Sequence, residues 1–184
     1  MLQTQYDSKV FMQLNEFHEA RSLLDKHYSD IVLLGDVICE HDLQDHFGIS
    51  LLHKHFAIDE GEALVETRSD DEIRISAKPY SSDISPYMWK FEQEDDAWYP
   101  LEFAGADSDV PEYNAKLSEE FLTAFGAKLQ ELGLANVFGL STLHRLSFIR
   151  NENEAALEHT DHDAKTLIFQ RISVDELKGE DTTE

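Results

Sequence analysis

With 184 residues, 38 of them Asp or Glu and 15 Lys or Arg, the chain carries a formal net charge of −23. That balance excludes a broad basic face for nucleic-acid phosphates or for an anionic membrane surface, and it favours small cations or a basic protein as partner. A hydrophobic fraction of 41% with 11 Phe, 6 Tyr and 2 Trp suffices for a packed interior, so a single domain over 1–184 is expected rather than disorder.

In chain order, Met1–Gln5 has neither the basic nor the apolar region of a signal peptide. Residues 9–28 predict a helix, because Phe11, Leu14, Phe17, Leu24 and Tyr28 recur at three-, four- and seven-residue steps behind a cap at Asp7 or Ser8. A second helix is expected over 30–44, with Asp30 as its cap and Ile31, Leu34, Val37 and Ile38 on one face. Cys39 is the only cysteine, so no intrachain disulfide can form, and a reducing cytoplasm is the expected compartment. No apolar run approaches the roughly 20 residues that span a bilayer. Gly48 breaks the helical pattern, and strands are predicted over 47–56, 62–67 and 72–78, with turns at Asp59–Gly61 and Ser69–Asp71.

Tyr87–Phe91 and Ala97–Phe103 flank the acidic turn Glu94–Asp96, which predicts an aromatic hairpin. Pro100 cannot donate to a ladder and places its strand at an edge or a bulge. Gly105–Pro111 reads as an exposed linker. Ser118 then caps a helix over 118–132 that Gly133 ends, and strands follow at 138–149, 154–159 and 165–172.

The two halves repeat. Phe47-Gly48-Ile49-Ser50-Leu51-Leu52-His53-Lys54 returns without a gap as Phe138-Gly139-Leu140-Ser141-Thr142-Leu143-His144-Arg145, 91 residues further on. With one residue inserted, Glu62–Glu66 matches Glu154–Glu158. A fixed-period self-match governs the reading of the whole fold. The expectation is an α+β fold of two pseudo-symmetric repeats, each a helix plus a three-stranded meander, at about 28–78 and about 117–173. Their strands would form one antiparallel sheet with helices on one face. The hairpin of about 79–116 would close an edge, and 174–184 would form an acidic tail.

The repeat places His53 and His144 at equivalent positions and matches Glu66 with Glu158 on the following strands. Imidazole and carboxylate together suit Zn²⁺, Fe²⁺ or Mn²⁺. Their spacing is no specific metal signature, because His55 aligns with Leu146 and only one imidazole is duplicated. Paired modules of one helix and several strands, each giving a His and a Glu, resemble the vicinal oxygen chelate (glyoxalase-like) enzymes. Those build a metal site from two βαβββ units. The likeness is one of layout: no strand precedes the first helix here, and each Glu lies on the strand right after its His, not on the module's last.

No dinucleotide fingerprint, phosphate loop or nucleophile elbow is present. The aromatic hairpin carries more apolar area than an isolated hairpin keeps exposed, so most of it should cover the core. A face left open would bind through Trp89, Trp98 and Tyr99, with His55 as a further contact. The expected function is an acidic, non-catalytic binding protein without a cofactor, engaging a basic protein or a small ligand. The alternative implied by the resemblance is a metal-dependent enzyme of small-molecule metabolism using His53, His144, Glu66 and Glu158.

Overall fold

A computed structural model describes residues 6–176; Met1–Gln5 and the acidic tail beyond Glu176 lie outside the described residues. The elements run α1 (Ser8–Met12), α2 (Phe17–His27), α3 (Asp30–Glu40), β1 (Phe47–Leu51), β2 (Glu62–Arg68), β3 (Glu72–Pro79), β4 (Ser85–Glu92) and β5 (Ala97–Ala104). They continue with α4 (Val110–Asn114), α5 (Glu119–Leu132), β6 (Phe138–Thr142), a 3-10 helix (His144–Phe148), β7 (Glu154–Asp161) and β8 (Thr166–Ser173). The fold is mixed α+β around one curled eight-stranded sheet of order β1-β6-β4-β5-β2-β3-β8-β7. Its curl brings the two edges together, since His55, just past β1, reaches Thr160 and Glu158 on β7. Among the described residues no helix is long and apolar enough to cross a membrane.

Local signals placed most element ends. The Asp7 carboxylate accepts from Lys9 N–H at 2.9 Å, and Ser118 Oγ accepts from Phe121 N–H at 3.1 Å. Gly133 ends α5 with a left-handed φ of 68°, a conformation that costs glycine nothing sterically.

Five expectations need correction. Neither half forms a three-stranded meander: β1 pairs with β6 and not with β2, and β7 pairs with β8 and not with β6, so only the hairpins β2–β3 and β7–β8 remain. The helix over 9–28 is broken at residues 13–16, where Asn15 O accepts from Lys54 N–H at 2.9 Å and Glu16 bridges to Lys54 as a short parallel pair. Here a tertiary strand-like contact overrides helical periodicity. The strands over 47–56 and 138–149 stop at Leu51 and Thr142, and the second gives way to the 3-10 helix. The segment read as an exposed linker holds α4, with Val110 fully buried. The aromatic hairpin does not close an edge: β4–β5 lies within the sheet, between β6 and β2, and creates its one parallel pair, β2–β5. Pro100 is accommodated by a bulge, for it sits opposite Trp89 where the β4–β5 register shifts.

The main core lies where α3 and α5 pack over β1, β6 and the hairpin, and it joins Leu34, Phe47, Trp89, Trp98, Phe121, Phe125 and Phe138. The Trp98 indole N–H donates to Leu122 O at 3.0 Å, which satisfies its one polar atom inside the core. A second cluster on α1, β2, β3 and β5 includes Phe11, Leu64, Ile75 and Leu101, so the helices do not all serve one face.

Strands β1 and β6 meet at two glycines. A Cβ on Gly139 would run into the Trp89 carbonyl and stand 2.7 Å from Leu52 Cδ2, whereas one on Gly48 would meet only the flexible end of Leu143, at 2.9 Å. Backbone cannot yield as a leucine tip can. Gly139→Ala is therefore expected to destabilise the protein by about 1–3 kcal/mol more than Gly48→Ala in urea unfolding. Equal midpoints for the two variants would refute this packing.

Candidate functional site

Glu66 lies in β2 after Ala63, Leu64 and Val65, all buried, and is itself 5% exposed. A carboxylate in such surroundings must be paired or it would not remain ionised. Its partners come from the other half of the chain. Arg145 Nε donates to Glu66 Oε2 at 2.6 Å, and His144 Nε2 stands 3.3 Å from the same oxygen. Because a carboxylate only accepts, the hydrogen of that contact sits on Nε2. Thr142 Oγ1 completes the imidazole at Nδ1, 2.6 Å away. Arg68 adds a longer ion pair to Glu66 at 3.8 Å and donates to His144 O at 3.3 Å.

The hairpin supplies the rest. The buried Tyr87 hydroxyl donates to Glu102, and Arg145 Nη2 donates to the Tyr87 oxygen and lies 3.4 Å from Glu102 Oε2. The Arg145 guanidinium also sits 4.5 Å over the Tyr87 ring, a cation–π arrangement. Burial raises the Tyr87 pKa, with Glu102 and Glu66 adding and Arg145 opposing, so the phenol keeps its proton. Burial would lower the Arg145 pKa, but Tyr87, Glu66 and Glu102 outweigh it and the guanidinium stays charged. For Glu66, burial pushes the carboxyl up, yet the hydrogen bonds and charges of His144 and Arg145 prevail and hold it at about 2.

This network walls a crevice of about 650 Å³. Register explains its place: Glu66 on β2 pairs with Ala104 on β5 in parallel, so both strands end at the same side and continue into separate segments. The lining takes Glu66–Asp70 from the end of β2 and its turn, Ala104–Asp109 from the end of β5 and the segment after it, and His144. Glu66, Asp70, Asp107 and Asp109 face one guanidinium, Arg68, among these lining residues. Ser108 Oγ, shielded from solvent, has no hydrogen-bond partner among the described residues. On the other side of His144 and Arg145 a smaller cleft of about 280 Å³ is lined by Tyr87, Thr142 and Leu146.

The four residues expected as metal ligands divide into two places. His144 meets Glu66 in the network, while His53 meets His55, whose Nδ1 lies 3.7 Å from Glu158. Among the described residues no group of three or more His, Cys, Asp or Glu is placed to hold a metal ion. Trp89 and Trp98 are 2% and 1% exposed and belong to the main core, so these two rings cover the interior and form no open binding face. Tyr99 is half-buried and its hydroxyl donates to Asp95 at 2.8 Å. Sequence reasoning passed over Arg145, Arg68, Tyr87 and Glu102. The signals were present: Lys54 and Arg145 end both copies of the repeat with a base, and Glu102 interrupts the apolar run Leu101–Phe103.

Compared with known protein families, with curated proteins and with solved structures, the chain matches none.

The depressed Glu66 carboxyl makes a pH prediction. A folded-state value of about 2 against an ordinary 4.5 means that Glu66 contributes stability fully above about pH 4.5 and loses it as pH falls toward 2. The stability gap between the unmodified protein and Glu66→Gln should therefore be widest near neutrality and shrink between pH 4.5 and 2. Denaturant unfolding across that range checks it; a gap independent of pH would contradict the pairing.

Proposed function

We propose that the chain is a non-catalytic binding protein whose acidic crevice takes a small ligand bearing a cationic, hydrogen-bond-donating group. The observation that carries this reading is a cavity of ligand size whose lining sets Asp70, Asp107 and Asp109 beside a single guanidinium, Arg68, while Glu66 is already paired with Arg145 and His144. The wall behind the crevice supports binding rather than catalysis, because a carboxyl held at about 2 is a weak base and its neighbours spend their donors on one another. The net charge of −23 would also steer a basic protein, but a concave site of this size favours a small molecule.

Calorimetry with butylguanidinium and 1,4-diaminobutane tests the reading. Binding is expected at one equivalent, weakening as salt screens the carboxylates, and weakening about five- to tenfold in an Asp107→Asn/Asp109→Asn variant. Heats that are absent, or unchanged in the variant, would sink it.

The two halves are, in the same proposal, copies of one unit facing each other across a local dyad. Reciprocal contacts at a constant offset support this. Leu52 N–H donates to Val137 O at 2.9 Å and Leu143 N–H to His46 O at 2.8 Å. Ile49 pairs with Leu140, its own equivalent, at the centre of the β1–β6 ladder. The crevice would then be the half of a duplicated layout that the inserted hairpin has enclosed, since Tyr87 and Glu102 belong to neither copy.

A further inference from the structure

We infer that His53 and His55 form a binding site for an imidazole-seeking divalent transition-metal ion, Ni²⁺ or Cu²⁺, held between their Nε2 atoms at the seam where the two sheet edges meet. The inference goes beyond the crevice, since none of these residues lines it.

Geometry comes first. The two Nε2 atoms are 2.9 Å apart. Nitrogens about 2.0–2.1 Å from one metal ion and at right angles about it, the cis arrangement of tetragonal Cu²⁺ or Ni²⁺, stand about 2.9 Å from each other. The outer nitrogens are held as metal-bound imidazoles usually are. His53 Nδ1 lies 2.9 Å from Leu51 O; a carbonyl only accepts, so the hydrogen sits on Nδ1 and Nε2 keeps a lone pair. His55 Nδ1 lies 3.3 Å from Thr160 Oγ1 and 3.7 Å from a Glu158 carboxylate oxygen, which accept its hydrogen when Nε2 is the ligand. Without an ion, His55 Nε2–H donates to His53 Nε2 and the Thr160 hydroxyl turns to donate to His55 Nδ1. Metal binding thus exchanges one tautomer for the other and moves no backbone.

Two further features favour the ion. Burial lowers the His55 pKa, with His53 adding and Glu158 opposing, which favours the neutral imidazole that metals require. The Phe17 ring lies 5.1 Å from His53 and 6.5 Å from His55 and shields the pair on one side. Two side-chain ligands leave the other coordination positions to water or to a donor carried by another molecule.

Cu²⁺ titration of the full chain, read by electron paramagnetic resonance, tests the site, because Cu²⁺ heads the affinity order for such ligands. One equivalent with coupling to two imidazole nitrogens is expected. His53→Ala and His55→Ala should each weaken binding at least about tenfold, and Thr160→Val should weaken it less. A His159→Ala variant, which removes an exposed imidazole of β7, should bind as the unmodified chain does. Unchanged affinity in both His53→Ala and His55→Ala would overturn the inference and mark the ion as adventitious on an acidic surface. Should those variants fail to fold, Cu²⁺ titration of the unmodified chain with ¹⁵N-labelled imidazoles decides: paramagnetic broadening centred on His53 and His55 supports the site, and broadening centred on other histidines overturns it.

Discussion

Arg145→Met is expected to lower the stability of the protein by about 3–5 kcal/mol. The guanidinium joins Glu66 and Glu102, two carboxylates 5% and 7% exposed, to the Tyr87 hydroxyl. Methionine keeps much of the stem's volume and removes the charge, leaving two buried anions with one partner fewer than they need. Arg68 stands 3.8 Å from Glu66 and faces the other oxygen, so it cannot replace the lost donor. The loss should appear as a lower urea midpoint with an unchanged slope. A double variant that also carries Glu66→Gln should recover part of the loss, since the uncompensated charge goes with its partner. A midpoint within about 0.5 kcal/mol of the unmodified protein would show that water reaches these carboxylates and that the network is not closed.

Phe47→Ala and Phe138→Ala are each expected to cost about 3–5 kcal/mol. The two rings are 2% and 1% exposed, and both belong to the cluster that joins α3 and α5 to the sheet. Phe47 lies 6.1 Å from the Phe121 ring and 6.5 Å from the Trp89 ring, so its removal opens a cavity against large side chains that cannot collapse into it. Thermal or denaturant midpoints that stay native-like in either variant would contradict the burial of the repeat.

What the sequence made legible was local. The Ser118 cap, the left-handed Gly133 and the turn at Gly61, with φ of 83°, each follow from the chemistry of one or two residues. Of the four apolar repeat positions expected in the core, Phe47, Leu52 and Phe138 are buried for the same reason, while Leu143 is only half-buried. What escaped depended on distant partners. No periodicity in residues 9–28 announces that Lys54 will occupy Asn15, and no property of the hairpin says that it lies between β6 and β2 rather than at an edge. The site divides in the same way. His144 and Glu66 were singled out from the repeat as metal ligands, and they do meet, at 3.3 Å. Their setting depends on Arg145, Tyr87 and Glu102, which lie 79, 21 and 36 positions from Glu66 in the chain and which only the folded sheet brings together.

The parallel pairing of β2 with β5 is what gives the fold a crevice at all. Antiparallel neighbours joined by a tight turn leave no room between their ends, whereas β2 and β5 run the same way and continue into separate segments, the Ser69–Asp71 turn and the Gly105–Asp109 stretch. The hairpin's place between β6 and β2 therefore accounts for both the enclosure of Glu66 and the opening above it.

The most direct test of the binding proposal is a chemical-shift titration of the ¹⁵N-labelled protein with butylguanidinium at low salt. Saturable shifts are expected at the amides of Thr67–Asp70 and Gly105–Asp109 and at the His144 imidazole, and they should fade as salt is added. Shifts scattered over the acidic surface, with these amides unmoved at saturation elsewhere, would contradict the account.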